Sequence, residues 1–366
     1  MTRVSGLAEA LLTVSAVQPL QHPPFQPGWV DAPHYSVSLG DFPLDSGGVI
    51  EDFSISFALH GDSRDDRLPI ALVLCAIGST HHRMDFMIGA GQALDPSRLR
   101  ILAIDAIGNG LTTSPSTSRS QPGYLFPQFT IGDMVRSQAS LVKRLGIEKL
   151  DLVAGASMGG MQSLAWGVMY PDAMRRIVAL TPMAKTAPWA RLVNLLARST
   201  LERGMSHELG GEPANDPWHD WVPLMLALSM RTPSQFDAEI LDFCRGPEKS
   251  DPCPWLDLRR SWWRSQRFDP IDWIYQSRAY DLHDVGKLGS FNGDTVAALN
   301  SVRAPTFIAA PSLDLYNPAD AAVWASRHIP ECHYMEIDSA YGHMAASGLD
   351  QSASRALNDA VARFIA

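Results

Sequence analysis

The sequence predicts an α/β protein in which a mostly parallel central sheet is flanked by helices and carries an inserted helical segment. Several runs are apolar throughout, which is typical of strands buried on both faces of a sheet. Helical patterns lie between these runs, and strands that alternate with helices form parallel sheets. Residues 184–300 break this rhythm, because they contain helical patterns but no convincing buried strand.

The first 35 residues are expected to form an arm outside the sheet. The segment "GLAEALLTVSAV" follows Arg3 and loosely resembles a secretory signal, but Glu9 interrupts it and no A-x-A cleavage site follows. We therefore expect a short amphipathic helix or a loose arm, followed by an extended connector over the Pro-rich "QHPPFQPGW". From Tyr35 to Leu59 the pattern is short and alternating, which predicts antiparallel strands.

Six further strands are predicted along the rest of the chain. They are "IALVLCAI" (Ile70–Ile77), "LRILAIDAIG" (Leu99–Gly108), "KLDLVAGAS" (Lys149–Ser157), "RRIVALTPM", "APTFIAAPS" and "CHYMEIDS". Between the second and third of these, the segment "IGDMVRSQASLVKRLGI" has its apolar residues at helical spacing. This segment predicts the helix that connects two parallel strands.

The elements divide the chain into three parts. Residues 1–185 are the first part of the core, with residues 1–35 as the arm; residues 186–299 are a helical lid; residues 300–366 are the second part of the core. Seven of the ten tryptophans lie between residues 184 and 300, namely Trp189, Trp218, Trp221, Trp255, Trp262, Trp263 and Trp273. They indicate an aromatic core of the lid itself or aromatic walls of a pocket below it, and the two interpretations are compatible.

The composition excludes several classes of function. With 46% hydrophobic and 19% charged residues, the chain is typical of a soluble globular protein. A formal net charge of −9, without basic runs, argues against a nucleic-acid partner. No apolar run approaches the ~20 residues that span a bilayer, so we expect no membrane partner and a cytoplasmic location.

The four cysteines are scattered along the chain as Cys75, Cys244, Cys253 and Cys332, without a CxxC pair. This spacing predicts neither a zinc site nor a redox motif, and reduced thiols of a cytosolic enzyme are the favoured interpretation. A Cys244–Cys253 disulfide stays open. We expect no metal and no redox cofactor.

A serine between glycines follows the strand "KLDLVAGAS". The pattern Gly155-x-Ser157-x-Gly159, between a strand and a helix, is typical of a nucleophile elbow, in which a sharp turn raises the serine hydroxyl above the sheet. The pentapeptide alone is weak, because glycine and serine also cluster in ordinary turns. The strand before it and the amphipathic helix after it supply the context that the motif requires.

A nucleophilic serine needs a base, and the base needs an acid that orients it. Asp314 lies in the loop after the strand "APTFIAAPS", and His343 lies in a glycine-rich loop after "CHYMEIDS". Both positions fall beyond the carboxyl ends of predicted strands, where the chemistry of an open parallel sheet collects. We therefore predict a triad of Ser157, Asp314 and His343.

Other histidines and acids are weaker candidates for these roles. They are His333 (within a strand), His81 and His82 (too early for the base, but able to line a pocket), Asp320 (at the start of a helix) and Asp338 (just before the histidine loop).

Over a much longer stretch, from about Leu39 to the C-terminus, the sequence resembles the homoserine O-acetyltransferase family of α/β-hydrolases. The similar segments are "MIGAGQALD" (Met87–Asp95), "FPQFTIGDMVRSQASLVKRLGIEKL", "GASMGGMQSLAW" and "RFDPIDWIYQSRAYDLHD" (Arg267–Asp284). The resemblance implies the α/β-hydrolase fold with an inserted helical lid. It also implies a homodimer that forms through the lid.

The resemblance implies roles for individual residues as well. It makes Ser157 the nucleophile, Asp314 the orienting acid and His343 the base. It implies that the backbone N–H groups of Ile77 and Met158 form the oxyanion hole.

Two further positions bear on the substrate. Arg198, in "NLLARSTL", matches a lid arginine that faces the substrate in the family. Homoserine transferases carry an aspartate directly after the catalytic histidine, where it can receive the substrate ammonium, whereas this chain has Met344 there. The segment "DAIGNGLTTSPSTS" (Asp105–Ser118) also departs from the transferases and looks more like a hydrolase-like branch.

These departures predict that a small ester, amide or thioester is hydrolysed, that homoserine is not acetylated, and that Met344 forms an apolar wall beside the base. One alternative is an O-acyltransferase that uses acyl-CoA as co-substrate and a non-homoserine alcohol as acceptor. A catalytically silent binding protein on the same fold is the second alternative.

Overall fold

One mixed sheet forms the centre of the protein. In the computed structural model, which describes residues 6–12, 14, 22–205, 216–245 and 250–366, eight strands belong to this sheet in the order β1-β2-β4-β3-β5-β6-β7-β8. They are β1 (His34–Pro43), β2 (Val49–His60), β3 (Ile70–Leu74), β4 (Arg100–Ile104), β5 (Leu152–Ala156), β6 (Ile177–Leu180), β7 (Thr306–Pro311) and β8 (Cys332–Ile337). β1, β2 and β4 pair antiparallel, and all other pairs are parallel. The predicted mostly parallel sheet is confirmed.

Helices pack on both faces of this sheet. Those described are α1 (Gly6–Leu12), α2 (Ile131–Arg144), α3 (Met158–Met169), α4 (Pro188–Met205), α5 (Trp218–Val222), α6 (Pro233–Cys244), α7 (Cys253–Ser265), α8 (Pro270–Leu282), α9 (Thr295–Asn300), α10 (Ala319–Ser326) and α11 (Gln351–Ile365). Alternate residues of one strand belong to different apolar clusters: Leu72 and Leu74 pack with α2 and α3, whereas Ala71 and Val73 pack with α11. Burial on both faces explains why these strands are apolar throughout.

A helical insertion, α4 to α8, lies between β6 and β7. Its two ends meet at an isolated antiparallel bridge between Lys185 and Asp284, whose side chains form an ion pair of 2.9 Å. Within it, the ring of Trp221 lies 4.8 Å from that of Trp263 and 5.5 Å from that of Trp273. These tryptophans pack against one another, as one of the two sequence interpretations requires. The boundaries at residues 185 and 299 stay predictions.

The described part of the N-terminal segment contains one short helix. Residues 6–12 are helical, and residues 22–33 contain no helix or strand, whereas most of the arm between them lies outside the described residues.

All four cysteines are described, and none is in a disulfide, so Cys244 and Cys253 are not bridged. Among the described residues, no helix has both the length and the apolar character needed to cross a membrane.

Candidate active site

Ser157 occupies a strained turn between β5 and α3. Its backbone has φ of 57° and ψ of −122°, a region that non-glycine residues rarely enter. Such strain persists only where the surroundings hold it, and it is a recurrent feature of functional sites. Here the Ser157 N–H donates to the Leu180 carbonyl at 2.9 Å, which ties the turn to β6.

The glycines around Ser157 are required by close approach of backbones. A Cβ at Gly155 would lie 2.4 Å from the backbone of Gly159, and a Cβ at Gly159 would lie 2.4 Å from the carbonyl oxygen of Leu74. Even alanine would therefore push α3 away from the sheet. The spacing seen in the sequence reflects a helix that begins in direct contact with two strands.

The structure brings Ser157, His343 and Asp314 together. The His343 Nε2 atom lies 2.8 Å from the Ser157 Oγ atom, and the His343 Nδ1 atom lies 2.7 Å from Asp314 Oδ2. Because a carboxylate only accepts, Nδ1 carries the imidazole proton, and Nε2 is left to accept from the serine hydroxyl. The other Asp314 oxygen accepts the N–H groups of Tyr316 (2.9 Å) and Asn317 (2.8 Å), which fixes the carboxylate.

Each of these three side chains follows the carboxyl end of a parallel strand. Ser157 follows β5, Asp314 follows β7, and His343 lies in a short helical turn, Gly342–Ala346, after β8. Parallel strands bring their carboxyl ends to one edge of the sheet, so residues far apart in the chain meet there. All three are buried.

The weaker candidates lie elsewhere. His333 is on β8 with its ring against Phe364, Asp320 is in the first turn of α10, and Asp338 follows β8 directly. His81 and His82 are buried in a separate cluster of histidines and carboxylates.

The two predicted oxyanion-hole donors, the N–H groups of Met158 and Ile77, have no acceptor among the described residues. Met158 is the first residue of α3, and N–H groups of a first helical turn lack partners within the helix. Neither Met158 N–H nor Ile77 N–H donates to any described residue. The neighbours of Ile77 are held in place, because Ala76 N–H donates to Ser79 Oγ (2.9 Å) and Gly78 N–H donates to Gln276 Oε1 (3.1 Å).

Two buried tyrosines at this site were not predicted from the sequence. The Tyr280 hydroxyl donates to Asn317 Oδ1 and interacts with the Ser157 hydroxyl, and burial raises the pKa of Tyr280, so that it stays protonated. The Tyr316 ring lies edge-on to the His343 imidazole, with centroids 5.1 Å apart. Tyr280 belongs to the insertion, which therefore contributes directly to the surroundings of the triad. No local pattern could reveal a contact that spans 123 residues between Ser157 and Tyr280.

The two predicted substrate residues have different environments. The Arg198 guanidinium forms an ion pair of 2.7 Å with Asp281 and also donates to Ser277 Oγ at 3.2 Å. Met344 is half-buried beside His343, and its N–H donates to the Met230 carbonyl of the insertion at 3.3 Å. Arg198 is thus already neutralised by a protein carboxylate.

A surface groove of about 440 Å³ lies away from the triad and is lined in part by Arg176, Pro305 and Lys149. Arg176 and Pro305 directly precede β6 and β7, so this groove is at the amino ends of the strands. Its position places it at the opposite edge of the sheet from Ser157. The hydrogen-bonded triad, and not the size of a groove, therefore locates the candidate site.

Comparison with known proteins gives a consistent picture. Residues 73–252 match a family described as the α/β hydrolase fold. The chain is 29% identical to a homoserine O-acetyltransferase of Thermus thermophilus, with 93% of each chain covered. It is 27% identical to an ethyl acetate hydrolase of Pseudomonas veronii, over 87% of this chain and 91% of that protein.

Solved structures of similar proteins have the same fold. An acetylester hydrolase from Corynebacterium glutamicum superposes with a TM-score of 0.81 at 27% identity, over 91% of this chain and 96% of that one. A homoserine O-acetyltransferase from Bacillus anthracis shares the fold, with a TM-score of 0.76 at 19% identity, over 92% and 98% of the two chains. The chain therefore has the α/β-hydrolase fold, and its similarity to homoserine O-acetyltransferases and acetyl esterases supports an enzyme that transfers acyl groups or hydrolyses esters.

Proposed function

We propose that the chain hydrolyses a small ester through an acyl intermediate on Ser157. The single observation that carries this proposal is the hydrogen-bond chain from Asp314 through His343 to Ser157. The ethyl acetate hydrolase and the acetylester hydrolase among its relatives support an ester as substrate. Amides and thioesters react through the same acyl chemistry and belong to the same proposal.

In the first half-reaction, Ser157 Oγ attacks the carbonyl carbon of the substrate while its proton passes to His343 Nε2. The carbonyl oxygen becomes an oxyanion, which accepts hydrogen bonds from the N–H groups of Ile77 and Met158. The bond to the leaving alcohol then breaks, and the alcohol takes the proton from His343. Asp314 holds the imidazole in one tautomer throughout.

In the second half-reaction, water takes the place of the alcohol. His343 Nε2 removes a proton from the water as its oxygen attacks the acyl carbon. The carboxylic acid leaves when the bond to Ser157 Oγ breaks and His343 returns the proton to the serine. None of these steps requires a metal or a redox cofactor.

The two predicted substrate residues, Arg198 and Met344, favour a neutral substrate over an amino acid. Homoserine brings a carboxylate and an ammonium group, and each must find an opposite charge when water is excluded. Asp281 already neutralises Arg198, and Met344 is apolar and only a weak acceptor. An uncharged acyl or alkyl group suits this environment better.

Two alternatives remain distinct proposals. An acyl-CoA-dependent transferase would use the same first half-reaction and replace water with an alcohol other than homoserine; the homoserine O-acetyltransferase relatives support it. A silent binding protein would have no need to keep Ser157, His343 and Asp314 at hydrogen-bonding distance. Dimer formation through the lid and a cytoplasmic location stay predictions of the sequence.

A product assay tests the proposed reaction. The purified protein is given p-nitrophenyl acetate and ethyl acetate, and separately acetyl-CoA with L-homoserine or with neutral alcohols. We expect ester hydrolysis that falls about a thousandfold or more in Ser157→Ala, and no O-acetylhomoserine.

Efficient formation of O-acetylhomoserine would contradict the proposal and favour the transferase function. Folded wild-type protein that turns over none of the esters would also contradict ester hydrolysis. A thermal unfolding transition shared by the wild type and Ser157→Ala shows that both are folded.

A further inference from the structure

A group of histidines that the proposed reaction does not use lies where the N-terminal connector meets the core. His22 comes from the connector, and His81 and His82 come from the helical turn after β3, His81–Met87. One ring nitrogen from each of the three lies within 4.8 Å of the other two. The ring centroids of His22 and His82 are 5.2 Å apart, and those of His81 and His82 are 4.2 Å apart.

The hydrogen bonds of His22 and His82 determine where their protons lie. His22 Nδ1 is 2.7 Å from the Pro23 carbonyl oxygen, and His82 Nδ1 is 2.6 Å from Asp85 Oδ2. Both oxygens accept, so each Nδ1 carries a hydrogen. If the two rings are neutral, each Nε2 atom is then unprotonated and has a free lone pair. These two Nε2 atoms face each other at 3.2 Å. Two lone pairs at that distance repel each other unless a metal ion or a proton lies between the two nitrogens.

His81 has the same arrangement. Its Nδ1 lies 3.1 Å from Asp105 Oδ2, so a neutral His81 also has a bare Nε2. Metal-binding histidines typically donate the hydrogen of the other ring nitrogen to a carboxylate or a backbone carbonyl, as all three do here. Two nitrogens bound tetrahedrally at about 2.0–2.1 Å from one metal lie about 3.4 Å apart, close to the separation of the His22 and His82 Nε2 atoms.

We propose that His22, His81 and His82 bind one divalent transition-metal ion through their Nε2 atoms. Neutral imidazoles suit zinc and neighbouring metals, and three of them leave one coordination position open. The fully buried carboxylate of Asp105 adds negative charge behind His81, and it is held by Ser56 Oγ (2.8 Å) and Asn109 Nδ2 (2.9 Å). The cysteine spacing gives no hint of this site, because its ligands are histidines.

Such a metal would fasten the connector to the core. His22 is the connector's ligand, and the indole of Trp29 in the same segment stacks on His82 with centroids 4.0 Å apart. The His81–Met87 turn begins four residues after Ile77, so the metal would also stabilise the loop that carries this residue. Binding therefore couples to stability, independently of whether Ser157 forms an acyl intermediate.

The test uses the full chain without a polyhistidine tag. The protein is stripped with a chelator, offered Zn²⁺ and desalted, and its metal content is measured by mass spectrometry. We expect about one Zn²⁺ per chain and an apparent Kd that rises at least about tenfold in His22→Gln and in His82→Gln. Zn²⁺ should raise the Tm of the wild type and not that of the variants. His328→Gln, which changes a half-buried histidine just after α10, is the matched control and should bind like the wild type.

Cobalt provides a readout that does not depend on the variants folding. Co²⁺ bound to wild-type protein should give visible absorption typical of nitrogen ligands, and one equivalent of Zn²⁺ should remove it. Wild-type protein that retains less than about a tenth of an equivalent of either metal would contradict the proposal, and a shared proton would then join the two Nε2 atoms. Equal Zn²⁺ binding by His22→Gln and wild type would contradict it too.

Discussion

At the scale of single residues, the site depends on places where a side chain would not fit. Ser157 adopts a positive φ, and Gly155 and Gly159 allow backbones to approach within distances that exclude a Cβ. The hydroxyl is thereby raised to the edge of the sheet, where His343 meets it at 2.8 Å. The order serine, acid, histidine was predictable from the sequence, because each residue lies in the segment that follows a recognisable strand. The tyrosine contacts were not, because they join segments that are distant in the chain.

Gly159→Ala tests this close approach. The added methyl group would meet the Leu74 carbonyl oxygen at 2.4 Å, so α3 must shift. We expect the free energy of unfolding to fall by about 1–3 kcal/mol, as measured by urea denaturation. Gly6→Ala is the control, because a Cβ there meets nothing within 4 Å and should leave stability nearly unchanged. Equal stabilities of the two variants would show that the helix is not held as tightly as described.

At the scale of elements, the insertion contacts the core through polar side chains that are buried between the two. Asp272 of α8 is almost completely buried, and its two oxygens lie 2.9 Å from Ser116 N and 2.5 Å from Ser116 Oγ. Burial raises the pKa of Asp272 to about 8, although the hydrogen bonds with Ser116 oppose this change. The helical character of this region was predictable from its pattern, whereas this contact between segments 156 residues apart was not.

Asp272 should make stability depend on pH. The folded protein keeps the proton on this carboxyl up to about pH 8, whereas the unfolded chain loses it near its ordinary pKa of 3.8. The folded state therefore binds more protons in this window, and stability falls as the pH rises through it. Asp272→Asn imitates the protonated form and removes this contribution. We expect wild type to lose stability relative to Asp272→Asn between pH 5 and about pH 8, as measured by urea denaturation; parallel pH profiles would contradict the assignment.

At the scale of the whole molecule, the sheet and the insertion form the site together. The sheet supplies Ser157, Asp314 and His343 from its carboxyl edge, and the insertion adds Tyr280 and the pair Arg198–Asp281. Relatives with this architecture include both transferases and esterases, so the sheet alone does not determine the acyl acceptor. Composition and motifs could predict the acyl chemistry of the core. The acceptor depends on packing between the insertion and the core, which no short motif encodes.

Covalent labelling of Ser157 tests the central claim most directly. The protein is incubated with a fluorophosphonate, which reacts with activated serines, and its intact mass is measured. We expect one adduct per chain in the wild type and none in Ser157→Ala. Ser163→Ala is the matched control. Ser163 is buried on α3, and its hydroxyl donates to the Gly159 carbonyl at 2.9 Å, so we expect the variant to be labelled like the wild type. Equal labelling of wild type and Ser157→Ala, or no labelling of a folded wild type, would contradict the account.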